Sequence, residues 1–323
     1  MAVLLTGGTG FVGLNVAEAL LSRGHAVVAL DRAPAPQAAL AALRASGSFT
    51  VIEGSVTDRA LLDRVFRAHD IDRVVQAAAI TAGRERERRA AAEIISTNLL
   101  GTIEALEAAR RHAAHRLVYF SSSSVYGENS LADDPLDEAA TAPIPDSLYA
   151  ISKYAGERTA LRYATLHGMD VVCARLSAVF GPWERDTGVR DTLSPIVQVM
   201  QALKNGGEVV LPRAGARDWV YARDVGSAIA TLLDANSLPH RVYNVGPGQR
   251  WTVADWCRKL AERHPGFHWR TGKDATIDLH GLTDRHSLSV ARIVADTEWQ
   301  PAFGLEAAFD DYLGWLDGPG AEA

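Results

Sequence analysis

Few cysteines, no long apolar run and no surplus of basic charge narrow the classes open to this sequence. Its 323 residues include only two cysteines, Cys173 and Cys257, and the ten histidines show no ligand spacing. This number and spacing fit neither a disulfide framework nor a zinc site, so we expect no metal and a reducing compartment. Cys173, in "MDVVCARL", reads as a small buried hydrophobe. No stretch is long and apolar enough to cross a bilayer, and the opening "AVLLTGGTGFVG" lacks a basic start and a cleavage region. The expectation is a cytoplasmic protein without a membrane partner. Lys and Arg total 33 against 39 Asp and Glu, leaving a net charge of -6, which argues against a general nucleic-acid surface.

The first half alternates short apolar runs with amphipathic stretches. Strands are predicted at "AVLLT" (2–6), "AVVALD" (26–31), "FTVIE" (49–53), "RVVQAA" (73–78), "RLVYFSS" (116–122) and "DVVCARL" (170–176). Helical patterns such as "LNVAEALLSRG" and "RALLDRVFRAH" separate them. Strands joined by connections of that length form parallel crossovers. The expected fold is α/β: a Rossmann-type doubly wound parallel sheet with a smaller mixed α/β C-terminal domain. Residues 1–176 are expected to form the nucleotide-binding domain, with 225–246 returning to it. Residues 177–224 and 247–323 are expected to form the substrate-binding domain.

"TGGTGFVG" sets Gly7, Gly10 and Gly13 between the first strand and first helix. Such glycines permit a tight turn, close approach of a pyrophosphate, and close packing of helix on strand. The free amides at the helix start, at Phe11 and Val12, then face the phosphates. Asp31 ends the second strand, where a carboxylate holds the adenosine ribose hydroxyls and repels a 2′-phosphate. NAD is therefore favoured over NADP, although Arg32 beside it weakens that exclusion. Ser55 and Val56 leave the third strand and border the expected adenine site, unless they form an ordinary strand exit.

The fifth strand runs into "SSSSVYG", at the edge where such sheets bind ligands. Tyr149 and Lys153 follow in "YAISK", four residues apart and so on one face of a helix. A lysine cation beside a phenol favours the phenolate, which predicts a lowered Tyr149 pKa. A serine at the strand exit, the phenol and the lysine together suit proton removal from an alcohol while hydride leaves carbon.

These pieces resemble an extended short-chain dehydrogenase/reductase of the NAD-dependent epimerase/dehydratase family. The similarity rests on "TGGTGFVG", Asp31, "VVQAAAI", Asn98 in "NLLGT", "SSSSVYG", "YAISK" and "RDWVYARDV". It implies Ser122, Tyr149 and Lys153 as catalytic residues, with Tyr149 and Lys153 also touching the cofactor. It further implies that Ala77, Ala78 and Ala79 line NAD, that Asn98 supports the active-site helix at the cofactor cleft, and that Ser123 assists at the substrate.

The resemblance also bears on the reaction. Ser123 and Ser124 stand where dehydratases carry an Asp-Glu pair, so water elimination lacks its acid and base. Arg217 in "ARDWVY" matches an arginine that contacts nucleotide-sugar phosphates, and Arg285 is a second candidate anion ligand. Ala178, however, replaces the asparagine usual in epimerases. The expected activity is epimerisation of a sugar nucleotide through a transient keto sugar. The alternative is NAD-dependent dehydrogenation of a sugar, sugar acid or small polyol, with a noncatalytic NAD-binding regulator behind both. The resemblance implies a homodimer paired through helices near 90–112 and 150–168. The arginine-rich "TAGRERERRAA" reads as a solvated charge run, and Trp183 as either a sugar-stacking or a domain-packing ring.

Overall fold

The computed structural model describes residues 1–131, 135–281 and 284–322. Its first part alternates β1 (Ala2–Thr6), α1 (Phe11–Ser22), β2 (Ala26–Asp31), α2 (Gln37–Ser46), β3 (Phe49–Glu53), α3 (Arg59–His69), β4 (Ile71–Gln76) and α4 (Arg84–Ile95). A π-helical turn, Ser96–Leu100, leads into α5 (Gly101–Arg111); β5 (Arg116–Ser122), α6 (Leu148–His167) and β6 (Val171–Leu176) follow. Every residue of β6 is buried, as expected for a parallel strand covered by helices on both faces.

Beyond β6 come β7 (Ala178–Phe180), α7 (Pro195–Lys204), β8 (Val209–Leu211), β9 (Ala216–Arg217), β10 (Trp219–Tyr221), α8 (Ala222–Asp234) and β11 (Val242–Val245). The chain continues through β12 (Trp251–Thr252), α9 (Val253–Arg263), β13 (Trp269–Thr271), α10 (Ala291–Thr297) and α11 (Leu305–Leu316). The main sheet has seven strands in the order β11-β6-β5-β4-β1-β2-β3, and all its pairings are parallel. Three two-stranded pieces, β10-β7, β12-β9 and β13-β8, build the smaller mixed part.

The strand order reverses between β1 and β4, which puts a crevice at their carboxyl ends. Two glycines make that crevice. Gly7 has φ +69, and a Cβ there would lie 2.9 Å from the Ala78 backbone. A Cβ on Gly13 would lie 2.1 Å from the Gly7 carbonyl oxygen, so only glycine lets α1 start this close to β1.

Beside the crevice, Trp183 is 1% exposed; its indole donates to Glu18 Oε1 at 2.9 Å and meets Trp315 edge-on. It therefore joins the two parts of the chain, which decides between its alternatives in favour of packing. Among the described residues, no helix is long and apolar enough to cross a membrane.

Candidate active site

The site begins with helix α6. Its first amides have no partner within the helix, and two side chains supply them. Ser147 accepts from Ala150 N at 3.3 Å, while Glu87, from α4, accepts from Leu148 N at 2.7 Å and Tyr149 N at 3.4 Å. A carboxylate at a helix N-terminus also complements the helix dipole. Glu87 thus fixes the turn that carries Tyr149. This corrects the reading of "TAGRERERRAA" as a solvated charge run. Arg84, Glu85, Arg88 and Arg89 are exposed, but Glu87 caps α6 and Arg86 pairs with Asp191 at 2.9 Å.

Asn98 braces α6 one turn further on. Its Oδ1 accepts from Ile80 N at 2.7 Å, and its Nδ2 donates to Ile80 O at 3.0 Å and to Ser152 Oγ at 2.9 Å. Ser152 Oγ in turn donates to the Tyr149 carbonyl at 2.7 Å. The π-helical turn aims this buried amide at the exit of β4. With both N–H donors spent, Asn98 holds the cleft wall and offers no donor to a cofactor.

The Tyr149 hydroxyl meets Ser122 and Thr81. Ser122 Oγ also accepts from Ser124 Oγ at 2.9 Å and from Ser124 N at 3.2 Å. Ser123 opens the following turn, half-buried. Burial raises the Tyr149 pKa, with Ser122, Thr81 and the Arg190 cation opposing that rise. Lys153 is 2% exposed, its ammonium 4.7 Å from the centre of the Tyr119 ring, and burial lowers its pKa to about 7. The expected lowering of Tyr149 by Lys153 is therefore corrected. Desolvation wins at the phenol, the same burial weakens the lysine as a cation, and the cation that reaches the phenol is Arg190.

Removing that cation has a definite sign. Arg190→Gln should raise the Tyr149 pKa further, moving the rising limb of alcohol oxidation to higher pH. A pH profile of kcat for the variant and the parent protein checks this, and superimposable limbs would refute the role.

The residues fit a dinucleotide on three observations. Gly10 starts α1 without a side-chain cap, leaving the Phe11 and Val12 amides facing the crevice. Among the described residues other than its chain neighbours, a Cβ placed on Gly10 would meet Gly7 O at 3.2 Å and Asp31 Oδ2 at 4.0 Å and nothing else within 4 Å, so most of this wall is open to a ligand. Asp31 is itself fixed: Oδ2 accepts from Thr9 N at 3.2 Å, and Oδ1 from Arg32 N at 2.7 Å and Ala33 N at 3.3 Å. Arg32 extends to Glu93, 3.7 Å away. Ser55 Oγ is bonded to Thr57 Oγ1 at 2.8 Å, and Val56 is buried under Gly101. Thr6 Oγ1 accepts from Ala77 N and Ala78 N, each at 3.2 Å, which ties the β4 exit that continues to Ala79 onto the glycine loop.

On the substrate side, burial lowers Arg217 to about 10, with Arg285 and Arg213 adding to the effect and Asp218 opposing it. The two arginines expected as anion ligands therefore share one neighbourhood. His280 stands between Arg190 and Arg217: its carbonyl accepts from Arg217 at 3.2 Å, and its pKa is lowered to about 4 by burial, then by Arg190, with Arg217 contributing. Cationic groups thus extend from the phenol through Arg190 and Arg217 to Arg285. Ala178, half-buried in β7 opposite Trp219, puts a methyl group into the same region.

Sequence reasoning missed Thr81, Glu87, Arg190 and His280. Thr81 had a faint signal, a hydroxyl just past the end of β4. Arg190 lies in a charged loop that composition alone marks as a possible ligand cover.

A dinucleotide crevice beside a Ser-Tyr-Lys group defines a nicotinamide-dependent enzyme of the Rossmann class. Residues 3–246 match the family described as "NAD dependent epimerase/dehydratase family", and the chain belongs to it. It is 30% identical to the probable UDP-glucuronate 4-epimerase of Rhizobium meliloti (strain 1021), covering 98% of this chain and 97% of that protein. With the dTDP-glucose 4,6-dehydratase of Streptomyces niveus it shares 28% identity, over 98% of this chain and 92% of the relative. The crystal structure of the UDP-glucose 4-epimerase of Thermus thermophilus, a complex with NAD, superposes with a TM-score of 0.80 at 27% identity, covering 98% and 99% of the two chains.

Proposed function

We propose that the protein is an NAD-dependent epimerase of a sugar nucleotide, working through a transient keto sugar. The observation that carries this reading is the meeting of the Tyr149 hydroxyl with Ser122 and Thr81 beside the glycine crevice. NAD, when bound, would supply the hydride acceptor and donor for the sugar carbon. The rest of the chemistry belongs to the chain. Tyr149 removes the alcohol proton and later returns it, and the Ser122 and Thr81 hydroxyls hold the oxygen that becomes a carbonyl. Lys153 holds the nicotinamide ribose, Asp31 the adenosine ribose, and the Phe11 and Val12 amides the pyrophosphate. Arg217 and Arg285 receive the substrate diphosphate, which suits arginine's forked donors. A homodimer belongs to the same reading, with Leu100 and Ile151, 44% and 46% exposed, supplying apolar surface on the pairing helices.

Ala178 favours a second reading. A methyl where epimerases carry an asparagine suits net dehydrogenation of a smaller sugar, sugar acid or polyol. A time course with trace enzyme, excess NAD and a panel of nucleotide sugars, free sugars and sugar acids separates the two. Conversion of a nucleotide sugar into its isomer with no NADH build-up supports the epimerase. NADH accumulating far beyond the enzyme concentration overturns it in favour of the dehydrogenase.

A further inference from the structure

The segment from Gly181 to Ser194, between β7 and α7, crosses the mouth of the dinucleotide crevice, and both its ends are fixed. At the glycine-loop side, Pro182 O accepts from Asn15 Nδ2 at 2.8 Å and Trp183 is bonded to Glu18. The Arg185 guanidinium donates from one nitrogen to Thr9 O at 3.0 Å and to Pro34 O at 3.4 Å. At the β4 side, Thr81 N donates to Val189 O at 2.8 Å and Asp191 N to Thr81 O at 3.2 Å. Asp191 Oδ2 accepts from Gly83 N at 2.8 Å, and Arg86 reaches both Asp191 and Gly188 O. Between the two ends, the Arg190 guanidinium lies 5.7 Å from the centre of the Phe11 ring.

The segment is also braced from within. The Glu184 carboxylate accepts from Ser194 N and Ser194 Oγ, both at 2.6 Å, and pairs with Arg190 at 2.9 Å. Trp183 is held at φ +67, a conformation a bulky residue keeps only where its surroundings enforce it. A surface connection would need neither the buried ion pair nor the strained tryptophan.

Arg185 gives this construction a ligand. Burial lowers its pKa, and the Asp31 carboxylate opposes that shift, so the guanidinium stands within the field of the group that reads the adenosine ribose. Its bonds to Thr9 O and Pro34 O set it on the rim formed by the glycine loop and the β2 exit. A half-buried cation there is suited to the paired charges of a pyrophosphate.

We propose that residues 182–191 form a clasp over the dinucleotide and that Arg185 is a cofactor-binding residue contributed from outside the nucleotide-binding strands. This rests on the NAD reading given above. The clasp keeps the reduced cofactor in place until the hydride is returned, as a reaction that regenerates its own NAD requires.

The test measures binding rather than turnover. Nucleotide-free protein is titrated with NAD in a calorimeter, and dissociation is followed by chasing bound NADH fluorescence with excess NAD. Arg185→Ala should raise the NAD Kd by about tenfold to a hundredfold, the range of a hydrogen bond to a charged group, with most of the change in the off-rate. Asp191→Ala, which frees the far end without touching the cofactor rim, should speed dissociation in the same assay and serves if Arg185→Ala does not fold. Kd and off-rate within twofold of the parent protein for either folded variant would overturn the clasp while leaving the NAD reading intact. Failure of the parent protein to bind NAD would overturn both.

Discussion

Replacing Tyr149 with phenylalanine is expected to lower kcat by about 10²–10⁴-fold, the usual contribution of a positioned acid/base, with NAD affinity little changed. The phenol oxygen meets both Ser122 and Thr81, and phenylalanine removes that acid. Phenylalanine preserves the ring and the helix. Both Glu87 contacts are to backbone amides, and the Asn98–Ser152 brace ends on the Tyr149 carbonyl, so neither depends on the hydroxyl. Steady-state kinetics together with NAD calorimetry on the same preparation test the claim. Turnover within threefold of the parent protein would remove Tyr149 from the chemistry. Lost turnover with lost NAD binding would instead make it a structural residue.

The second large effect lies beneath the site. Arg175 donates to Glu157 Oε2 at 2.9 Å and Oε1 at 2.7 Å, and its remaining nitrogen donates to the Tyr126 hydroxyl at 2.9 Å. Glu157 also accepts from Ser121 Oγ at 2.6 Å, and Tyr126 donates to Asn244 Oδ1 at 2.9 Å. The network joins β5, α6, β6 and β11. Arg175 and Glu157 are 5% and 1% exposed at their side chains, so water cannot replace a missing partner. Arg175→Met should cost about 3–5 kcal/mol of stability, because it strands the carboxylate. The double variant Arg175→Met/Glu157→Leu should cost distinctly less, since both charges then leave together. Urea unfolding of the two variants decides the matter, and equal losses would show that packing dominates over the orphaned charge.

These two sites differ in how far they could be read before folding. The Tyr-Lys pair and the glycine turn are local features: helical spacing alone puts Tyr149 and Lys153 on one face, and the tight β1–α1 connection needs Gly7 and Gly13. The strands were legible for the same reason, since buried parallel strands are short continuous apolar runs bounded by helical patterns. Thr81, Glu87, Arg185 and Arg190 reach the site through loops whose paths depend on the packed sheet, and no spacing along the chain foretells them. The pKa of Tyr149 was misjudged on the same account. Pairing is visible in sequence, whereas burial belongs to the folded molecule, and here burial decides the direction.

Helix α4 joins one of these late arrivals, Glu87, to the clasp. Arg86 grips the proposed clasp at Asp191 and Gly188, and the next residue, Glu87, caps the helix that bears Tyr149. One turn of helix is thus a common footing for the proposed clasp and for the turn that carries Tyr149. The Arg86–Asp191 grip is an ion pair only partly shielded from solvent, so rising ionic strength weakens it, whereas the Glu87 cap is made to neutral backbone amides and is screened less. Salt would then loosen the proposed clasp before it disturbs the turn that carries Tyr149, so ionic strength separates two roles that share one stretch of helix.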